Sequence, residues 1–170
     1  MPRITSFLSA PRLKALLALA LAVTLVASES AAVTSSPFRN FIGQWSGRGQ
    51  LVGSDGHRES MRCRAGYSEV NGGAAVNQAI VCASESFKFD IRSHVEASGE
   101  SVQGYWTEIS RNASGSLTGR IAENQFEGQI SAPTFSAAIS LTSNGRTQAV
   151  SIRPSGGDVA EVRVELKRRG

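Results

Sequence analysis

The stretch MRCRAGYSEVNGGAAVNQAIVCAS at residues 61–84 decides the fold, because it predicts one β-hairpin with a cysteine on each arm. Two-residue hairpin loops favour glycine, since both central residues take a positive φ. With Gly72-Gly73 as the loop, Cys63 and Cys82 lie directly opposite each other, within disulfide reach. These are the only two cysteines of the chain. We therefore predict that a Cys63–Cys82 disulfide fixes the register of this hairpin.

Two alternatives to this pairing stay open at the level of sequence. If Asn71-Gly72 forms the loop, Cys63 faces Ile80 and Cys82 is displaced by one pair. The two cysteines could also remain reduced and buried, although export into an oxidising compartment argues against that state.

The Gly72-Gly73 register also has a geometric cost. In this register Asn71 faces Ala74, which places the two cysteines at a hydrogen-bonded pair. That pair is the wider of the two types in an antiparallel ladder. A β-bulge at Gly66 would bring the sulfur atoms closer together.

Residues 1–32 have the three parts of a secretory signal peptide. Arg3, Arg12 and Lys14 supply the positive region, and an apolar run follows at 15–27. This run is shorter than a typical membrane span, which makes a retained membrane anchor the weaker alternative. Small residues then precede position 33, where cleavage is expected. The sequence predicts export to the periplasm.

The remaining chain is predicted to be one domain. Removing residues 1–32 takes away three cations and one anion, which lowers the formal net charge from +4 to +2. Such a weak charge does not indicate nucleic-acid binding. We interpret 33–37 as a flexible leader and 38–170 as a single domain large enough to hold a core, with no transmembrane segment.

Short alternating segments separated by turns predict about ten β-strands. The clearest alternation places Phe87, Phe89 and Ile91 on one face, and residues 38–42 could form one helical turn. Between 102 and 110 the alternation does not decide whether Tyr105 or Trp106 points inward. So many antiparallel strands close most simply into an up-and-down β-barrel, and a two-sheet β-sandwich is the alternative.

The segment FIGQWSG at 41–47 resembles the opening of calycin barrels, which include the lipocalins and the fatty-acid-binding proteins. The resemblance implies that Trp45 closes the barrel floor and that the interior holds a small apolar ligand. The chain also resembles a group of uncharacterised secreted alphaproteobacterial proteins through Gly43-Gln-Trp45, Arg62-Cys-Arg64, Cys82-Ala-Ser84 and Phe87-Lys-Phe-Asp90. This second resemblance implies the periplasm and no particular mechanism.

The sequence contains no pattern that predicts catalysis or a metal site. A Gly-x-Ser-x-Gly nucleophile elbow is absent, and the two cysteines have no histidine pair near them. Some ten-stranded relatives of the calycins carry haem on a histidine, but His57 and His94 match no such motif. We therefore predict a non-enzymatic protein without a cofactor.

Two sets of residues are candidates for binding. Aromatic side chains that could line a pocket, or simply fill the core, are Trp45, Tyr67, Phe87, Phe89, Trp106, Phe126 and Phe135. Small residues at inward positions favour a residual cavity; these are Ala65, Gly119, Gly128 and Ala137. Arg62 and Arg64 share a face and suit an anion or a lipid headgroup, although a solvated face paired with carboxylates explains them better.

The sequence thus supports two hypotheses for function. The first is a periplasmic binding protein that holds a small apolar molecule or lipid inside the barrel. The second is a non-enzymatic envelope protein that acts on a protein partner through its surface, which requires an exposed apolar patch.

Overall fold

The computed structural model describes residues 36–170, so the predicted signal peptide at 1–32 lies outside the described residues. These residues form ten β-strands and one 3₁₀ turn at Asn71–Gly73. In chain order the strands are β1 (Gly43–Gly53), β2 (Arg58–Val70), β3 (Ala75–Ala83), β4 (Lys88–Ser98), β5 (Ser101–Glu108), β6 (Ala113–Ala122), β7 (Gln125–Ala132), β8 (Phe135–Ser143), β9 (Thr147–Pro154) and β10 (Val159–Arg168).

Each strand pairs antiparallel with its neighbours in sequence, and β1 pairs with β10 to close the barrel. This arrangement confirms the predicted up-and-down barrel over the two-sheet sandwich. Closure leaves no strand edge unpaired, which is the physical advantage of this topology for a chain made of many short strands. No helix of the described residues is long and apolar enough to cross a membrane.

The two ends of the barrel differ. We call the end that carries the turn at residues 38–41 the floor and the opposite end the mouth. The turn is helical, since the Phe41 amide donates to the Phe38 carbonyl oxygen at 2.8 Å, as the sequence predicts. Phe38 and Phe41 are both buried, so the turn plugs the floor. The mouth is framed by five loops, at 54–57, 84–87, 109–112, 133–134 and 155–158.

The hairpin of β2 and β3 confirms the predicted register, with Cys63 opposite Cys82 and joined to it by a disulfide. The loop is longer than predicted, because the pairing closes on Val70 and Ala75 rather than on Asn71 and Ala74. The two central glycines do take positive φ, as expected for this loop.

The longer loop removes the predicted geometric problem at the cysteines. Their Cα atoms are 4.1 Å apart, close to the spacing of a non-hydrogen-bonded pair and well below that of a hydrogen-bonded one. Two extra loop residues exchange the hydrogen-bonded and non-hydrogen-bonded pairs along the hairpin, but they do not change which residues face each other. The two cysteines therefore lie at a non-hydrogen-bonded pair. The expected bulge at Gly66 is therefore unnecessary, and Gly66 pairs regularly with Ala79.

On β5 the structure shows which of the two neighbouring aromatic residues, Tyr105 or Trp106, points into the barrel. Trp106 points inward and is 8% exposed, whereas Tyr105 lies on the outer wall and is 61% exposed. The indole Nε1 of Trp106 donates to the Ser116 carbonyl oxygen at 3.1 Å, which satisfies its only polar group.

Candidate binding cavity

A cavity of about 460 Å³ runs from the floor plug to the mouth through the barrel interior. Phe38 and Phe41 form its base, and Thr134 and Phe135 border its open end. Its volume falls within the range of roughly 300–1,000 Å³ that is usual for small-molecule sites. The walls are made mainly of aliphatic side chains, among them Ile80, Ile91, Leu117, Ile130, Leu141 and Val150.

Five of the seven predicted aromatic residues line this cavity: Tyr67, Phe89, Trp106, Phe126 and Phe135. Trp45 is completely buried but packs in the floor, where its indole donates to the Phe41 carbonyl oxygen at 2.8 Å. Phe87 precedes β4 at the mouth and stacks on Phe89, with ring centroids 6.3 Å apart. Neither Trp45 nor Phe87 lines the cavity.

The small residues that suggested a cavity do not line it. Ala65, Gly119, Gly128 and Ala137 are all absent from its walls. Gly119 and Gly128 face each other, and a Cβ atom on either would overlap the Phe126 ring. The two glycines therefore make room for an inward phenylalanine, while the cavity itself exists because medium-sized aliphatic residues leave the centre of the barrel unfilled.

One row of polar side chains crosses the otherwise apolar wall. The pairing register places Tyr67, Gln78 and Ser93 side by side on β2, β3 and β4, and all three line the cavity. Ser93 Oγ donates to Gln78 Oε1 at 2.8 Å, and Gln78 Nε2 donates to the Tyr67 hydroxyl at 3.3 Å. We call these three residues the polar row.

Burial keeps Tyr67, the titratable member of the polar row, in its neutral form. Tyr67 is 5% exposed, and burial raises the pKa of its phenol well above the ordinary value. The phenol is therefore neutral throughout the physiological pH range and keeps its hydrogen. Since Gln78 and Ser93 carry no charge, the whole polar row acts through uncharged hydrogen bonds.

Among the described residues, the only charged ones in the cavity wall are Glu108 and Arg111, which lie at the mouth and pair with each other. Arg111 Nη1 lies 3.6 Å from Glu108 Oε2, and the Arg111 guanidinium stacks 5.0 Å from the Phe89 ring centroid. Burial alone would raise the pKa of Glu108, but backbone N–H donors from Asp90, Arg111 and Ser110, with the Arg111 charge, hold it below the ordinary value.

Sequence reasoning missed five polar residues of this cavity: Gln78, Ser93, Glu108, Arg111 and Thr134. A signal for the first two was present, because Gln78 and Ser93 occupy inward positions of alternating strands whose other inward residues are apolar. Glu108 shares its face of β5 with Val102 and Trp106, but the alternation there did not decide which face points inward, and the contacts of its carboxylate depend on the turn at 109–112. Its carboxylate accepts the amides of Ser110 and Arg111 at 3.3 and 2.7 Å.

The remaining sequence candidates lie outside the cavity. Arg62 and Arg64 are exposed on the outer wall, and within residues 36–170 neither forms an ion pair, so the expected carboxylate partners are missing. His57 lies in an exposed mouth loop, and His94 stacks against Tyr105 on the outer wall. Nowhere in the described part of the chain do three metal-binding side chains cluster.

Comparisons with known proteins agree on the fold. The chain is similar to the crystal structure of Rv2717c from M. tuberculosis, with a TM-score of 0.59 and 12% identity over 77% of this chain and 94% of that one. It is also similar to the S-type phycobiliprotein lyase CPES from Guillardia theta, with a TM-score of 0.56 and 10% identity over 78% and 90% of the two chains. No family model and no curated protein matches the sequence. These likenesses support the β-barrel fold and nothing finer.

Proposed function

We propose that this protein is an exported carrier or sensor, which binds one small apolar molecule inside its barrel and performs no catalysis. The single observation that carries the proposal is the cavity of about 460 Å³, which is lined almost entirely by apolar side chains and reaches the mouth. A folded barrel that had no use for this space would gain stability by filling it, because cavities cost free energy in proportion to their volume.

We place the carrier in the periplasm. The signal-like segment at 1–32 and the Cys63–Cys82 disulfide both fit an oxidising compartment outside the cytoplasm. The resemblance of the sequence to secreted alphaproteobacterial proteins points to the same compartment.

The surface-acting envelope protein is the weaker candidate. Within residues 36–170 only three large apolar side chains are well exposed, namely Tyr105, Ile109 and Phe135. Ile109 and Phe135 belong to the mouth, where a carrier also needs apolar residues. Tyr105 stands alone on the outer wall, which is too little for an interaction patch.

A pair of matched substitutions tests whether the cavity binds ligands. Ala132 lines the cavity near the mouth, whereas Ala138 is exposed on the outer face of β8. We expect Ala132→Trp to abolish binding of the neutral fluorescent dye N-phenyl-1-naphthylamine, and Ala138→Trp to leave it unchanged. Native mass spectrometry of protein purified from a periplasm provides a second measurement. The unmodified protein and Ala138→Trp should carry a bound molecule that solvent extracts, and Ala132→Trp should not.

The opposite results would reject the carrier. If the unmodified protein binds no dye and carries no extractable molecule, the cavity has no ligand and the surface hypothesis takes its place. Equal dye binding by both tryptophan variants would show that the dye reports on the outer wall rather than on the interior.

A further inference from the structure

The polar row gives the cavity one specific chemical preference, and the following argument rests on the proposed binding function. Its hydrogen bonds run in one direction, from Ser93 to Gln78 and from Gln78 to Tyr67. The Tyr67 oxygen is used as an acceptor, but no group within residues 36–170 accepts its hydrogen. The row therefore ends in one unused hydroxyl donor on the cavity wall.

The orientation of the Gln78 amide decides which hydroxyl is free, but a free hydroxyl remains in both orientations. Turning the amide over would reverse the chain, so that Tyr67 donates to Gln78 and Gln78 donates to Ser93. The row would then end in the free hydroxyl hydrogen of Ser93. In both orientations three groups share two hydrogen bonds, and one hydroxyl hydrogen remains to be accepted by something inside the cavity.

A buried donor without an acceptor costs free energy, so a ligand that supplies an acceptor is favoured over one that does not. Burial keeps the Tyr67 phenol protonated, which makes it a permanent donor at physiological pH. Because Gln78 holds the hydroxyl oxygen in place, the donor is positioned before a ligand arrives, and little entropy is lost on binding.

The same cavity disfavours an anionic ligand. A carboxylate buried beside the polar row would have no cation near it, and an unpaired buried charge is strongly unfavourable. The one cationic side chain of the wall, Arg111, lies at the mouth and is already paired with Glu108 and stacked on Phe89. A charged headgroup would have to stay in water at the mouth, out of reach of the polar row.

From these observations we infer that the ligand is an uncharged apolar molecule carrying one hydrogen-bond acceptor, such as a ketone or ester oxygen, which Tyr67 binds from the cavity wall. The apolar body of the ligand would occupy the aliphatic space between Phe41 and Phe135. Fatty acids and other amphiphilic anions would be poor ligands.

Three probes of equal chain length test this preference: a medium-chain methyl ketone, the corresponding n-alkane and the corresponding fatty acid at neutral pH. Each is titrated against N-phenyl-1-naphthylamine bound to the full mature protein. We expect the ketone to displace the dye about two- to tenfold more effectively than the alkane, and the fatty acid to be the weakest of the three.

Two conservative variants assign the effect to the polar row. Tyr67→Phe should abolish the preference for the ketone, measured as the ratio of ketone to alkane affinity, because the hydroxyl that donates to the ketone is removed. Tyr105→Phe makes the same chemical change on the outer wall and should keep the full preference. Melting curves of both variants confirm that they are folded before their affinities are compared.

The outcomes separate this inference from the proposed function. If neither the dye nor any probe binds, the carrier function fails, and the ligand preference fails with it. If all three probes bind and Tyr67→Phe leaves the ketone-to-alkane ratio unchanged, the carrier stands and the role of Tyr67 is wrong. Loss of the ratio in Ser93→Ala but not in Tyr67→Phe would also overturn the assignment to Tyr67.

Discussion

The floor of this barrel is closed by a buried plug, whereas its mouth leaves apolar side chains exposed. At the floor, polar side chains bind the backbone of the plug: Trp45 and Gln148 both donate to the Phe41 carbonyl oxygen, at 2.8 and 3.3 Å. Ser143 donates to the Asn40 carbonyl oxygen, and the Arg168 guanidinium lies 4.7 Å from the Trp45 ring centroid. The floor is thus fixed by interactions that reach across the chain.

At the mouth, large apolar side chains remain in solvent, although hydrogen bonds also join distant loops there, such as the one that Ser54 Oγ donates to the Gly157 carbonyl oxygen at 2.7 Å. Ile109 is 54% exposed and Phe135 is 38% exposed. The main polar group, Glu108, binds amides of its own turn and of the adjacent Asp90 on β4. The difference teaches that one end supplies stability and the other access, since the floor buries its aromatic side chains whereas the mouth leaves apolar side chains in solvent, and regions that bury little apolar surface open most easily.

The largest effect in this comparison should come from removing the floor tryptophan. We expect Trp45→Ala to lower the free energy of unfolding by about 3–5 kcal/mol, because a completely buried indole and its hydrogen bond are lost. Trp106→Ala should cost less, since this indole already borders an empty cavity. Urea denaturation of both variants measures the difference. Equal losses would contradict the division between floor and wall.

The floor is also the part of the fold that could best be predicted from sequence. The sequence at residues 61–84 predicted a hairpin whose loop lies at this end, and the resemblance of residues 41–47 to calycin barrels implied that Trp45 closes the floor. Both are local patterns, in which a few neighbouring residues determine the geometry. Loop length was harder to predict, because three residues with positive φ, Asn71, Gly72 and Gly73, extend the loop without changing the pairing.

The cavity could be predicted only in part. Alternation predicts which aromatic residues point inward. It located Tyr67 and Phe89, together with the strand that carries Trp106, but it does not show whether the centre of the barrel is filled. The hydrogen bonds of the polar row depend on the registers of three strands at once. The carboxylate of Glu108 depends on a turn whose conformation the sequence does not specify.

The disulfide lies in the wall between the two ends, and its loss should have the next largest effect. Replacing both cysteines, Cys63→Ser with Cys82→Ser, should lower the free energy of unfolding by about 3 kcal/mol, because the unfolded chain regains the entropy of a 19-residue separation. Thermal melts with and without a reducing agent provide the measurement. The unmodified protein should lose stability on reduction, and the double variant should not. Equal melting temperatures for the two proteins under oxidising conditions would show that the disulfide does not form.

The smallest effect should come from the mouth and should depend on pH. The pKa of Glu108 is lower in the folded protein than its ordinary value of 4.5, so the charged carboxylate stabilises the fold at neutral pH. This contribution decreases as the pH falls below about 4.5, where the unfolded chain binds the proton first, and it is lost once the pH passes the lower pKa of Glu108 in the folded protein. We expect Glu108→Gln to cost about 1–2 kcal/mol at pH 7, and we expect the gap from the unmodified protein to close on acidification.

Glu165→Gln supplies the matched control, since Glu165 is exposed on the outer wall of β10 and forms no ion pair within residues 36–170. Its stability should stay within about 0.5 kcal/mol of the unmodified protein at every pH. Amide hydrogen exchange locates the effect: Glu108→Gln should speed exchange at Ser110 and Arg111, whose amides the carboxylate accepts, and leave the floor protected. Faster exchange at Phe41 as well would mean that mouth and floor open together, and the two ends would then form one cooperative unit.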